Sequence, residues 1–235
     1  MEDSIEELYD KITSLSLRID EQDKKIEENH FRLEKIEWIN CIKECLNIYF
    51  EKGPRSPKKV DFLHNFIKKK IDLYIPENWK TVLEKNVKSK NATGYKKCDI
   101  VVLDENENVK IIFPTKFIVT NYKQNKNNFW ECLTGECFHL HILDSSIHIV
   151  PINIILSETP YLDSNSKIKK IETITYEESF EVYNELVIQK VCSDILNIII
   201  DVEQVSKIGE KYDTSPEFIG IEKINTMKDI VKKLI

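Results

Sequence analysis

Glycine is scarce in this chain: five among 235 residues, at 53, 94, 135, 209 and 220, none near another. Loops that cradle nucleotide phosphates need several glycines within a few positions, so that class of site is excluded. No Gly-x-Ser-x-Gly nucleophile elbow occurs either. No apolar run reaches the roughly eighteen residues that cross a bilayer, so no membrane partner is expected. The opening MEDSIEELYDK is acidic and periodic, unlike a secretory signal. The six cysteines (Cys41, Cys45, Cys98, Cys132, Cys137, Cys192) lack the compact spacing of a disulfide framework. They point to a reducing intracellular compartment, cytoplasm or nucleus, and not to secretion. Cys132, Cys137, His139 and His141 carry atoms that zinc accepts, yet their spacing matches no common zinc motif and reads as core cysteines beside exposed histidines. Internal repeats are also missing.

What the chain has is charge, unevenly placed. Hydrophobic residues make up 41% and charged residues 31%, which suits one substantial globular domain or two small ones. Residues 1–40 hold 6 basic and 12 acidic groups, whereas residues 52–126 hold 17 basic and 8 acidic ones. Residues 127–235 return to excess acid, 18 against 10, and the whole chain carries a net charge of −6. A basic middle segment suits a polyanionic partner, DNA in the first place. A lysine-rich solvated surface gives the same composition without any partner.

The first forty residues carry a heptad. Ile5, Ile12, Ile19, Ile26 and Leu33 recur every seven residues, with Leu8, Leu15, Gln22, Asn29 and Ile36 three residues after each. Isoleucine at the first position and leucine at the second favour a parallel two-stranded coiled coil, in which Gln22 and Asn29 cost stability while fixing register, so a homodimer through this helix is expected. A second helical segment over 41–52 and the break Gly53-Pro54-Arg55-Ser56-Pro57 form a linker region, 41–57. Periodicity then predicts a helix over 58–74, strands over 79–87, 96–103 and 109–120, a helix over 125–141 and a strand over 147–156. Beyond that core (58–156), residues 157–235 form an accessory α/β part, with one long helix or two expected over 176–200 and a closing helix over 226–235.

Asp99 sits in the apolar run Cys98-Asp99-Ile100-Val101-Val102, and Lys116 in the next strand. An acid among such neighbours is costly to bury alone and is better placed at a strand end or facing a cation. With the turn centred near Asn106, facing residues have numbers summing to about 213, which sets Asp99 opposite Pro114. Alternation then puts Lys116 on the same face as Asp99. In the following helical segment, Glu131 and, off that face, Glu136 supply further carboxylates. Glu84 and Glu51 are lower-ranked upstream acids. Asn125 reads as a helix cap, while His30, His64 and His148 stand alone.

This order, α-β-β-β-α-β with Asp99 on the second strand and Lys116 on the third, resembles the restriction-endonuclease-like fold of the PD-(D/E)XK nucleases. The resemblance covers residues 58–156. It implies an α/β protein cutting DNA like a type II restriction enzyme, with Mg²⁺ held by Asp99 and a second acid and with Lys116 near the attacking water. Two positions depart from the family pattern: Cys98 precedes the aspartate where proline is frequent, and Pro114 stands where the strand acid belongs. Some members draw that acid from the next helix, which assigns Glu131 as the second metal ligand. The resemblance and the basic segment together assign Lys96, Lys97, Lys123 and Gln124 to nucleic-acid contact. Pro114 also sustains the alternative expectation, a catalytically inactive nucleic-acid-binding or scaffolding protein on the same fold.

Overall fold

A computed structural model describes residues 2–221 and 226–235, with side chains described from residue 15 onward. The chain divides into two compact units, residues 1–38 and 39–235. Helix α1 (Glu2–Lys52) joins the heptad segment and the helical segment over 41–52 in a single helix. No glycine or proline precedes Gly53, so nothing in the sequence stops it earlier. Gly53, at φ 88°, ends it in the left-handed conformation, its N–H donating to the Tyr49 carbonyl at 2.9 Å.

In the first unit the heptad residues Leu15, Ile19, Ile26, Leu33 and Ile36 are all exposed. The side chains of Ile5, Leu8 and Ile12 lie outside the described residues. In the second unit the last turns of α1 bury Ile42, Cys45, Leu46 and Tyr49.

The second unit continues with α2 (Lys58–Asp72), β1 (Lys80–Lys88), β2 (Tyr95–Leu103), β3 (Val109–Phe113), β4 (Thr115–Ile118) and α3 (Tyr122–His141). Then come β5 (His148–Ile149), β6 (Ile152–Leu156), β7 (Glu158–Leu162), β8 (Ile168–Thr173), α4 (Tyr176–Ile188), β9 (Leu196–Glu203), β10 (Glu217–Ile221) and α5 (Met227–Leu234). The protein is thus mixed α/β. The predicted strand over 109–120 is two strands, because Pro114 has no N–H for the ladder. The predicted helix over 176–200 stops at Ile188. Lys190 turns back at φ 59°, and the β-branched run Ile198-Ile199-Ile200 enters the sheet as β9. Residues 157–235 hold four strands besides α4 and α5 among the described residues.

Two four-stranded ladders, β1-β2-β3-β5 and β4-β6-β9-β10, meet end to end. β3 pairs with β5 and β4 with β6, both parallel and both with partners 37 residues apart. The offset makes Pro114 and Pro151 neighbours in the interruption, which is bridged by Val150 N–H to the Ile112 carbonyl (2.9 Å) and Ile152 N–H to the Pro114 carbonyl (2.8 Å). The β2–β3 register follows the predicted sum: Ile100 faces Phe113, Val101 faces Ile112, and Val102 faces Ile111.

The β1–β2 ladder has its own gap. Leu83 pairs with Ile100 and Lys85 with Cys98, but Glu84 and Asp99 between them are unpaired, and Glu84 has φ 55°. Val82 and Val87, five residues apart, pack on one core, as do Cys98 and Val101, three apart. Odd spacings place residues on opposite faces of a regular strand, so both strands reverse their alternation at Glu84 and Asp99. Glu84, Asp99, Pro114 and Pro151 consequently form one row of broken pairing across four neighbouring strands.

On one face of the sheet lie α3 and α4. Leu133, Cys137 and Leu140 of α3 and Phe180 and Tyr183 of α4 are buried against Val101, Ile112, Ile155 and Ile199. α2 packs on β1 and β2 and against α5, outside that core, and buries Leu63, Ile67 and Ile71 together with His64. Among the described residues, no helix is long and apolar enough to cross a membrane.

Candidate metal centre

The reversal of alternation in β1 and β2 turns Glu84 and Asp99 toward α2. There they meet His64, and one ligand atom from each of the three lies within 4.8 Å of the others. His64 projects from the buried face of α2, only 2% exposed, because its neighbours Leu63 and Ile67 dock that face on the sheet. Its Nδ1 stands 3.5 Å from Glu84 Oε1, and its Nε2 is buried without a hydrogen-bond partner. Glu84 Oε2 pairs with Lys97 Nζ at 2.5 Å. That contact raises the Lys97 pKa above its ordinary value, first through the hydrogen bond and then through the charge of Glu84. Asp99 Oδ2 accepts the backbone N–H of Thr115 at 2.8 Å. Thr115 follows Pro114, where β4 has left the β2 ladder, so the carboxylate takes the place of a strand partner. Each acid offers one oxygen to this cluster.

The donor set is one imidazole nitrogen and two carboxylates. Mg²⁺ selects oxygen ligands and keeps much of its water; two carboxylates also suit Mn²⁺, while an imidazole moves the set toward transition ions such as Zn²⁺ and Fe²⁺. The residues therefore fit a divalent cation, with a donor set less suited to Mg²⁺ than the all-oxygen one expected from the sequence.

Lys116 does not join Asp99 on a common face. Its Nζ is 3.9 Å from Glu136 Oε2 on α3, and the same oxygen accepts from Lys96 Nζ at 3.1 Å. Burial pulls the Lys96 pKa down, but the Glu136 carboxylate outweighs this and holds it above the ordinary value. Two features separate Lys116 from Asp99. β2 reverses its alternation at Asp99, and β4 continues beyond Pro114 on a ladder that β2 does not share. A hollow of about 460 Å³ is lined by Lys96, Lys116, Glu131, Glu136 and His139, among others. Glu131 is exposed on its rim, whereas the Glu136 side chain is only 7% exposed and takes both lysines. Cys98, buried beside this cluster, has its thiol pushed up to about 12, first by burial and then by Glu136.

The remaining residues assigned from the sequence lie elsewhere. Lys123 Nζ is 3.6 Å from Glu178 of α4, and its backbone N–H donates to Glu172 Oε2 at 3.0 Å. Gln124 is exposed. Asn125 is inside α3 and donates its side-chain amide to the Asn121 carbonyl at 3.1 Å, so it is not the cap. Asn121 precedes the helix at φ 55°, its Oδ1 accepting the Leu162 N–H at 2.7 Å. Cys137 is buried beside Cys192, whose thiol, followed by burial, raises its pKa well above the ordinary value. Cys132 is exposed, so this pair does not present a joint zinc site with the histidines.

Sequence reasoning ranked Glu84 low and read His64 as background. The one available signal for His64 was a polar side chain directly beside Leu63 on the apolar face of α2. Glu84 had none, since a glutamate does not announce a left-handed backbone. Comparison with protein-family models, with curated proteins and with solved structures finds nothing that matches this chain.

Proposed function

We propose that this protein is a divalent-metal-dependent endonuclease that hydrolyses phosphodiester bonds in DNA, with His64, Glu84 and Asp99 as the metal ligands. The convergence of those three side chains from α2, β1 and β2 carries the reading. The element order from α2 to β6 supports it, being that of the restriction-endonuclease-like nucleases, with Asp99 on the second strand as in that family. Glu84 takes the role that the sequence reading gave to Glu131. A divalent ion in such a site supplies a more acidic bound water and offsets charge on the scissile phosphate. The chain's own groups do the rest. The Thr115 N–H fixes the Asp99 carboxylate. The burial of His64 holds its ring on one orientation. Lys97, paired with Glu84, stands at the site, and the basic middle segment that holds it brings charge that attracts the DNA backbone.

A second reading, DNA binding without hydrolysis, is favoured by two observations. Pro114 removes the strand acid, and Lys97 already pairs with one oxygen of Glu84. The test separates the two. Purified protein is incubated with supercoiled plasmid and with genomic DNA in Mn²⁺, Mg²⁺ or EDTA, beside Asp99→Asn and His64→Ala variants of verified fold. Cutting in Mn²⁺, weaker in Mg²⁺, absent in EDTA and lost in both variants is expected. Salt-sensitive binding with no cutting of either substrate would overturn the nuclease in favour of the binding protein.

A further inference from the structure

The exposed stripe on α1 carries an orientation code. Taking Ile5, Ile12, Ile19, Ile26 and Leu33 as the first core position of each heptad, the position just before each of the last four is Lys11, Arg18, Lys25 and Arg32. All four are basic. The flank on the other side of the stripe reads Tyr9, Ser16, Asp23, His30 and Glu37, with acids and no lysine or arginine. Leu15, Ile19, Ile26, Leu33 and Ile36 are between 46 and 61% exposed.

We propose that residues 5–36 of α1 pair with the same residues of a second copy of this chain as a parallel, in-register coiled coil. In a parallel pair, the basic flank of one helix lies along the other flank of its partner, five residues further on. Arg18 then meets Asp23 of the second copy, and Arg32 meets Glu37, twice each by symmetry. In an antiparallel pair each flank meets itself, and four basic residues on each helix face four on the other. Like charges so placed select against that arrangement. Gln22 and Asn29, the two polar residues of the second core position, meet their own copies only when the helices are parallel and in register. The apolar stripe supplies the attraction, and five heptads exceed the three or four that mark a coiled coil. The charged flanks and the two amides decide the direction.

The experiment uses the full chain in a Cys132→Ser background, which removes the exposed native thiol. Gln22→Cys and Asn29→Cys are made separately, oxidised and examined under denaturing conditions, with solution mass measured by light scattering. Dimer mass, with each variant cross-linking to itself, is expected. Cross-links that form only when the two variants are mixed would establish the antiparallel pair and overturn the proposal, as would a chain that stays monomeric at tens of micromolar. In the otherwise unaltered chain, Arg18→Glu should weaken dimerisation about tenfold, since two attractions become two repulsions. Adding Asp23→Lys should restore it. An Arg18→Glu chain that dimerises as well as the unaltered one would overturn the charge code. None of these readouts depends on nuclease activity.

Discussion

Asp99 has two duties in this structure, and two substitutions pull them apart. Its Oδ2 accepts the Thr115 N–H at 2.8 Å, and one of its oxygens lies within 4.8 Å of ligand atoms of His64 and Glu84. Asp99→Ala removes both functions. A half-buried N–H left without an acceptor costs about 1–3 kcal/mol. Asp99→Asn keeps an acceptor for Thr115, exchanging a charge-assisted bond for a neutral one, and should cost under about 1 kcal/mol. In a domain of this size 1 kcal/mol moves Tm by about 2–4 °C, so without metal the alanine variant should melt roughly 4–8 °C lower, taking about 2 kcal/mol as the loss. The metal duty reads differently. An ion at one hundred times its Kd stabilises the folded state by about 2.7 kcal/mol, an upward shift of roughly 5–10 °C. Only the unaltered protein should show that shift with Mn²⁺, because both variants lose the Asp99 charge. The assay is thermal unfolding of the three proteins across a Mn²⁺ titration. If Asp99→Asn keeps the full Mn²⁺ shift, the ion binds elsewhere and the site assignment fails. If the alanine variant melts with the asparagine variant, the Thr115 bond does not hold the strand break as argued.

Three further outcomes follow from the same geometry. Glu84→Gly should raise Tm slightly while abolishing the Mn²⁺ shift: a left-handed non-glycine residue carries about 1–2 kcal/mol of strain, and the exposed Lys97 pair it gives up contributes little. A lower Tm would refute the strain. Asn153 and Asn197 sit in register on β6 and β9, both buried, joined by an amide hydrogen bond of 2.9 Å. Asn197→Val alone should cost about 1–3 kcal/mol by orphaning Asn153, and adding Asn153→Val should recover part of it in urea unfolding. A double variant as unstable as the sum of the singles would contradict this. Asp104 holds the β2–β3 turn, and hydrogen bonds from the Asn108 side chain, then from the Asn108 and Asn106 backbone, lower its pKa below 3.8. A depressed carboxylate stabilises the fold above its unfolded pKa, and the contribution disappears as pH falls through the folded value. Asp104→Ala should therefore be less stable than the unaltered protein at pH 7, with the gap narrowing as pH falls through the depressed folded value; a gap that stays constant into acid would point to packing instead.

The β2–β3 register was legible because a hairpin with a polar loop at Asp104–Asn108 leaves few ways to align two apolar strands, and the sum of 213 followed. The face of each side chain was not. Alternation holds only while a strand is regular, and the reversal at Glu84 and Asp99 comes from a left-handed glutamate that no composition signals. Pro114 was visible as a missing acid, yet its larger effect is topological: it ends the β2 ladder and moves Lys116 toward Glu136. The helix over 176–188 was readable from its acidic first turn, capped by Thr175, whose Oγ1 accepts the Glu178 N–H at 3.3 Å. The expected helix or pair of helices over 176–200 ends at Ile188, because the β-branched run 198–200 belongs to a fully buried parallel strand.

The row Glu84–Asp99–Pro114–Pro151 explains why a site forms at this point of the sheet. Each of its members lacks a ladder pairing, and each gap helps create the next. Pro151 and Pro114 stop two parallel strands from bonding, which leaves the Thr115 N–H without a strand acceptor. Asp99, unpaired with Glu84, supplies its carboxylate to that N–H. Glu84, across from it, takes a left-handed backbone and swings to the same side. A break needed only for bending the sheet would be served by apolar or glycine residues at 84 and 99, with no charge to desolvate and no strain to hold. This chain instead sets two carboxylates on the break and aims a buried histidine at them from α2. Those choices cost stability in the metal-free protein, and under the proposed function a bound cation would offset the cost by screening both acids.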